Sequence, residues 1–156
     1  MKNLILDEIS GALRKSVPLA ASVYINPLSG GFLTQDASGN FALSLAADTQ
    51  IYGYTSQRSG TASFSSTAAT DFVTIDVDTE KVYELPASTT ITAAAMKLLL
   101  FRTCDIAISG SALTLVQQAN VTASSTDVLV ICGWDISAQT VYVRMNPAKM
   151  YAQGIA

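Results

Sequence analysis

Within the stretch Asp71 to Asp78 the residues alternate from Val73 on: Val73, Ile75 and Val77 fall on one side, Thr74, Asp76 and Asp78 on the other. A helix would scatter those apolar residues around its axis, whereas a half-buried strand places every second side chain on one face. The rest of the chain is punctuated in a way that suits the same reading. Cys104 to Ile108, Ala112 to Gln117, Asp127 to Cys132 and Thr140 to Met145 are short apolar-rich runs, separated by Ser109-Gly110-Ser111, Ser124-Ser125 and Trp134-Asp135. Short strands at roughly ten-residue spacing with turn residues between them predict an all-β domain, an antiparallel β-sandwich or barrel.

In the last run Val141, Val143 and Met145 are expected in the core, with Tyr142 and Arg144 outward. Upstream, Phe32 to Gln35 and Phe41 to Leu45 flank Asp36-Ala37-Ser38-Gly39-Asn40, which reads as a hairpin with a Gly-containing loop. Ile51 to Phe64 reads as strand and loop mixed, and Lys81 to Leu85 as a continuation of the Val73 strand that Pro86 ends. The interior has one convincing helical composition, Ala93 to Leu98, short and capped by Thr89 or Thr90.

Ahead of the strands, Ile5, Ile9 and Leu13 recur at helical spacing beside Leu6 and Ala12, weakened by Gly11 and stopped by Pro18. This divides the chain into an extended N-terminal arm (1–20), a single β domain (21–147) and a C-terminal tail (148–156) after Asn146-Pro147. No repeat period stands out.

Composition then limits what such a domain can bind. Hydrophobic residues make up 49% of the chain and charged residues 13%, about half of the roughly 25% charge of an ordinary soluble domain. The longest apolar run, Val128 to Cys132 continued by Gly133 and Trp134, falls far short of the ~20 residues of a spanning helix. A membrane is therefore not the expected partner. Nor is nucleic acid: the net charge is −3, and the densest basic group is the pair Arg14-Lys15, too little for phosphate neutralisation. Burial against other protein is the reading that remains, with hydroxyl-rich wetting by Ser and Thr as the plainer account.

Met1 to Leu6 begins like a secretion signal, but Asp7 and Glu8 interrupt it, so the protein is not expected to be secreted. Cys104 and Cys132 lie in apolar runs and read as reduced thiols acting as small hydrophobes. The triplet Asn120-Val121-Thr122 fits a glycosylation sequon, which has no use without a secretory route.

The chain has no histidine, which removes the commonest general base and every Ser-His or Cys-His pair. Asp76, Asp78 and Glu80 are the best carboxylate group for a glycosidase or for calcium, but a solvated strand face is the preferred reading. Gly30-Gly31 and Gly53 lack the flanks of a phosphate-cradling loop. No catalytic residue, cofactor or metal is predicted. The interface candidates are Leu4, Ile5, Ile9, Leu13 and Tyr151 in the terminal arms, and Trp134 at a strand end.

Val82-Tyr83-Glu84-Leu85-Pro86, Thr103 to Gly110, Gln117 to Val121, Thr126 to Val130 and Ala138 to Pro147 together resemble small virion proteins of tailed bacteriophages, of the capsid decoration or cement type. The resemblance covers about the C-terminal half and consists of strand patterns. It implies a non-enzymatic protein on the capsid surface of the virion, made in the host cytoplasm, with the major capsid protein and itself, as a homotrimer, for partners. Binding only the assembled shell would stabilise it by mass action. The alternative is a phage tail, fibre or adhesin module that binds a host surface glycan through Tyr52 and Tyr54; a hydrolase using Asp76, Asp78 or Glu80 stands behind both.

Overall fold

A computed structural model describes residues 14–25, 29–56, 71–110 and 115–150. The described residues form ten strands and one helix: β1 (Arg14–Pro18), β2 (Gly31–Gln35), β3 (Phe41–Leu43), β4 (Gly53–Thr55), β5 (Phe72–Asp76), β6 (Tyr83–Pro86), α1 (Ala93–Leu99), β7 (Thr103–Ser109), β8 (Val116–Asn120), β9 (Leu129–Asp135) and β10 (Thr140–Met145). They make two five-stranded antiparallel sheets, ordered β1-β5-β4-β2-β3 and β6-β10-β9-β7-β8. The molecule is an all-β, sandwich-like protein with one short helix.

Each sheet curls until its outer strands meet through a single parallel bridge, Leu19 with Phe41 in the first and Ala87 with Ala119 in the second. Closure in this way leaves little free strand edge, the usual liability of an open sheet. Each sheet is therefore barrel-like, and the two barrels have the same strand order.

They also share their register. Pro18 pairs with Phe72 in the first barrel, and Pro86 with Thr140 in the second. Just beyond, Leu19 N donates to Asp71 O (2.8 Å) and Ala20 N to Phe41 O (2.8 Å); Ala87 N donates to Gln139 O (2.9 Å) and Ser88 N to Ala119 O (3.0 Å). Following the closing bridge into the hairpins matches Gln35 with Ile106. Going round the other way, through β5–β4–β2 and β10–β9–β7, matches Phe32 with Thr103. The two routes agree, because Phe32 precedes Gln35 by as many residues as Thr103 precedes Ile106. In that register Gly30 (φ 62°) falls on Phe101 (φ 62°). The chain is a structural duplication, although its sequence shows no repeat period.

The cores follow the alternation seen in the sequence. Val73 and Ile75 of β5, and Val141, Val143 and Met145 of β10, are buried. Phe32 and Ile51 of the first half pack into the larger cluster formed by the second, so apolar packing crosses the junction.

Some boundaries move. Residues 14–20, assigned to the arm, form β1 and its bridge, because Val17 and Leu19 are core residues that pair across to β5. The start of the tail is tied down as well: Ile51 bridges Met150 and donates to Lys149 O (3.2 Å). β6 pairs with β10 in the second barrel and so does not prolong β5. β8 runs through Asn120, later than the run Ala112 to Gln117, since its register places Gln117 and Ala119 inside. The cap of α1 is Thr92, whose extended backbone lets its hydroxyl accept from Ala95 N (3.3 Å), a geometry that Thr89 and Thr90 lie too far upstream to provide.

Candidate functional site

Among the described residues one recess lies at the junction of the barrels and another on the second barrel. The junction cleft holds about 400 Å³ and is lined by Arg14, Tyr54, Thr74, Asp76, Lys81 and Tyr83 among others. Its floor is aromatic. Phe32 meets Tyr54 and Tyr83 edge-on at centroid distances of 5.1 and 5.2 Å, and the two tyrosines lie 4.4 Å apart. Tyr54 Oη donates to Ser29 O (2.5 Å). The Tyr83 hydroxyl is buried and makes no hydrogen bond among the described residues. Burial holds the Tyr83 phenol well above its ordinary range, and the nearby carboxylates of Asp76 and Asp78 push it the same way; burial alone raises Tyr54. Neither phenol ionises near neutral pH.

Asp76 ends β5, while Asp78 and Glu80 lie in the turn that follows it, so the three carboxylates do not share one strand face. Asp78 N donates to Asp76 Oδ1 (3.0 Å), and Glu80 N to Asp78 Oδ1 (2.9 Å), so each carboxylate shapes the backbone that follows it. Lys81 pairs with Asp76, and Arg144 with Glu80 at 3.1 Å. Among the described residues no three His, Cys, Asp or Glu side chains converge as a metal site.

The cysteines are unpaired. Burial, with the charges of Asp105, Asp127 and Cys132 adding to it, pushes the Cys104 thiol up to about 12. Burial also raises Cys132, outweighing the opposing effect of Arg144. Both are poor nucleophiles in this setting.

The second recess, about 420 Å³, lies where α1 turns into β7, lined by Leu98, Leu99, Arg102, Thr103, Val121 and Thr122 among others. Beside it stands an apolar corner: Leu98 is 78% exposed, Phe101 72%, and Leu100 is exposed too. Phe101 holds a left-handed backbone, a conformation a bulky residue rarely takes. The run Leu98-Leu99-Leu100-Phe101 is more apolar than one helix face needs, and that was the available sequence signal for this corner.

Of the expected interface residues, Trp134 sits in β9 opposite Val141, partly buried against the core. It does not join the corner. Leu4, Ile5, Ile9, Leu13 and Tyr151 lie outside the described residues. Tyr52 and Tyr54 do not form one surface: Tyr52 meets Phe41 edge-on at 5.2 Å, while Tyr54 belongs to the junction.

The fold and its recesses thus define an all-β, sandwich-like protein built of two like barrels. Among the described residues no helix is long and apolar enough to cross a membrane. Compared with known proteins, the chain matches no family model, no curated protein and no solved structure.

Proposed function

We propose that this protein is a non-enzymatic structural component of a virion, which binds the outer surface of a phage capsid and stabilises the shell as a decoration protein. The observation that carries the reading is the apolar corner of Leu98, Leu100 and Phe101. Large exposed apolar side chains gathered at one place are characteristic of protein contact surfaces. The sparse charge of the chain and the strand patterns that resemble cement proteins point the same way. The capsid protein and further copies of this chain are the partners, and stabilisation follows from binding the assembled shell in preference to its free subunits.

The test is to mix the protein with expanded, undecorated capsids and measure co-sedimentation and the melting temperature of the shell. Binding with a rise in melting temperature is expected. Neither binding nor thermal gain would sink the capsid reading.

A second reading has its own observation. The junction cleft lines the aromatic rings of Tyr54 and Tyr83 with Arg14, Asp76 and Lys81, a setting for a hydroxyl-rich ligand such as a host surface glycan on a tail, fibre or adhesin module. Titration with bacterial surface oligosaccharides followed by calorimetry tests it, with binding lost in Arg14→Ala.

A further inference from the structure

The wall of the junction cleft on the side of the first barrel is a single row of its sheet. Asp76 of β5 pairs directly with Arg14 of β1 on one side and with Tyr54 of β4 on the other. Directly paired residues of an antiparallel ladder send their side chains to the same face. A guanidinium, a carboxylate and a phenol ring therefore stand side by side across three strands. Thr74 shares that face two residues earlier in β5, and Ser56 lies two residues beyond Tyr54. These side chains all line the cleft, and Lys81 reaches it from the linker that joins β5 to β6.

The charges in this lining do not balance. Asp76 is the only carboxylate among the described lining residues, and both of its oxygens are engaged: Lys81 pairs with Oδ2, and Asp78 N donates to Oδ1 (3.0 Å). Its side chain is only 13% exposed, so it has little room for a further partner. Arg14 stands opposite Asp76 in the ladder and yet makes no ion pair among the described residues. Two cations thus share one carboxylate, and the cleft keeps one positive charge without a match. That charge is carried by the exposed guanidinium of Arg14.

We infer that the junction cleft takes an acidic sugar, a pyranose that carries a carboxylate, with the carboxylate on Arg14 and the sugar ring against Tyr54. The inference rests on the glycan reading of this cleft and sharpens it from a hydroxyl-rich ligand to one of defined charge. It does not depend on the capsid.

Each part of that ligand answers a feature of the lining. A planar carboxylate meets a guanidinium through two parallel hydrogen bonds, a fit that a neutral sugar leaves unused. A phosphate brings about two negative charges, more than the single unmatched cation balances. The ring of Tyr54 is half-buried and held in place by its hydroxyl, which donates to Ser29 O (2.5 Å), and it gives the apolar face of a pyranose a fixed surface. The hydroxyls of Ser56 and Thr74 can each donate or accept, as the hydroxyls of a sugar require. The volume, about 400 Å³, lies towards the small end of the roughly 300–1,000 Å³ of ligand sites. One end of an acidic oligosaccharide fits that space better than an extended stretch of polymer.

Calorimetric titration of the full chain tests this with trigalacturonate and trimannuronate, each beside its uncharged methyl ester. At least one acid should bind about tenfold or more tightly than its ester, and added salt should shrink that advantage because Arg14 is exposed. Arg14→Gln should remove the preference for the acid, and Arg14→Lys should restore part of it. Asp76→Asn should do the opposite and tighten acid binding several-fold, since it deletes the one carboxylate of the lining while leaving an oxygen to accept from Asp78 N. Far-UV circular dichroism checks that each variant folds; Ser56→Trp, at an exposed position, fills the cleft and replaces any that does not. Acid and ester binding alike would overturn the inference and leave the glycan reading standing, whereas no binding of any of the four sugars would remove both. A preference for the acid that survives Arg14→Gln or Ser56→Trp would overturn it as well, because the charge would then be read elsewhere.

Discussion

The first and second barrels share strand order, register and a left-handed residue just before β2 and β7, but they place different side chains at corresponding points. Gly30 and Gly31 stand where the second barrel has Phe101 and Arg102, and Thr34 where it has Asp105. The inward positions agree in character and rarely in identity: Val17 with Leu85, Leu33 with Cys104, Ile75 with Val143, all buried. What the two halves hold in common is the alternation that decides which face of a strand is buried and the few points where the backbone must turn left. What they do not hold in common lies at the rims, where one barrel accepts its neighbour and the other faces outward.

The largest expected effect falls on the socket of the first barrel that buried Gln117 of β8 fills: its Oε1 accepts from Phe32 N (2.7 Å), and its Nε2 donates to Phe32 O (3.0 Å) and Ser44 O (2.8 Å). Replacing Gln117 with Leu strands Phe32 N–H and Ser44 C=O in a buried place, and a buried polar group without a partner costs about 1–3 kcal/mol. Gln117→Leu should lower stability to urea by about 3 kcal/mol in total, whereas Gln118→Ala, next to it and less buried, should stay within about 0.5 kcal/mol. Equal effects of the two would mean that the socket does not hold the barrels together.

A smaller effect separates the barrels in acid. Asp105 is 3% exposed, and burial by itself would raise its carboxyl. The Ser125 hydroxyl (2.7 Å) and the backbone N–H groups of Ser125, Thr126 and Asp127 (2.8 to 2.9 Å) outweigh that and hold it down to about 2. The folded value lies below the unfolded one of about 3.9. Its contribution, about 2 kcal/mol, is therefore complete above the unfolded value and is lost as pH falls from about 4 towards 2. The first barrel has Thr34 at this point, so the acid-sensitive loss belongs to the second barrel. Trp134, the sole tryptophan, lies there and reports it by fluorescence. Asp105→Asn should flatten the pH dependence over that window and lower stability at neutral pH.

How much of this was legible in the sequence depends on what kind of signal each feature leaves. Strand β10 and the core faces of β5 and β10 were legible because their alternation is local. The β2–β3 hairpin was legible because its loop chemistry is local too. β1 was hidden behind Pro18, which reads as a stop but sits at the strand's last paired position, opposite Phe72. The duplication was hidden because the halves share little beyond Pro18 with Pro86 and Val73 with Val141. Pairing register is not written in residue identity, so two sequences with the same alternation can reach the same fold without visible repeats. The recess where α1 turns into β7 could not be read at all, since its lining comes from segments that the sequence keeps apart.

The smallest expected effect bears on the left-handed position that both barrels share. In the first, Gly30 has no choice of residue: a Cβ there would lie 2.3 Å from Thr55 O and 2.6 Å from the Tyr54 hydroxyl. In the second, Phe101 takes the same φ with its ring mostly in solvent. A left-handed residue other than glycine costs about 1–2 kcal/mol, and the added freedom of glycine in the unfolded chain offsets about 0.5–1 kcal/mol of the relief. Phe101→Gly should then raise the melting temperature of the dilute chain by about 2–4 °C, the shift that roughly 1 kcal/mol gives at this size, while weakening association between copies. Gly30→Ala should do the reverse to the fold and lower the melting temperature. A fall in melting temperature for Phe101→Gly would show that the ring packs within its own barrel, and the strain at this position would then belong to folding and not to assembly.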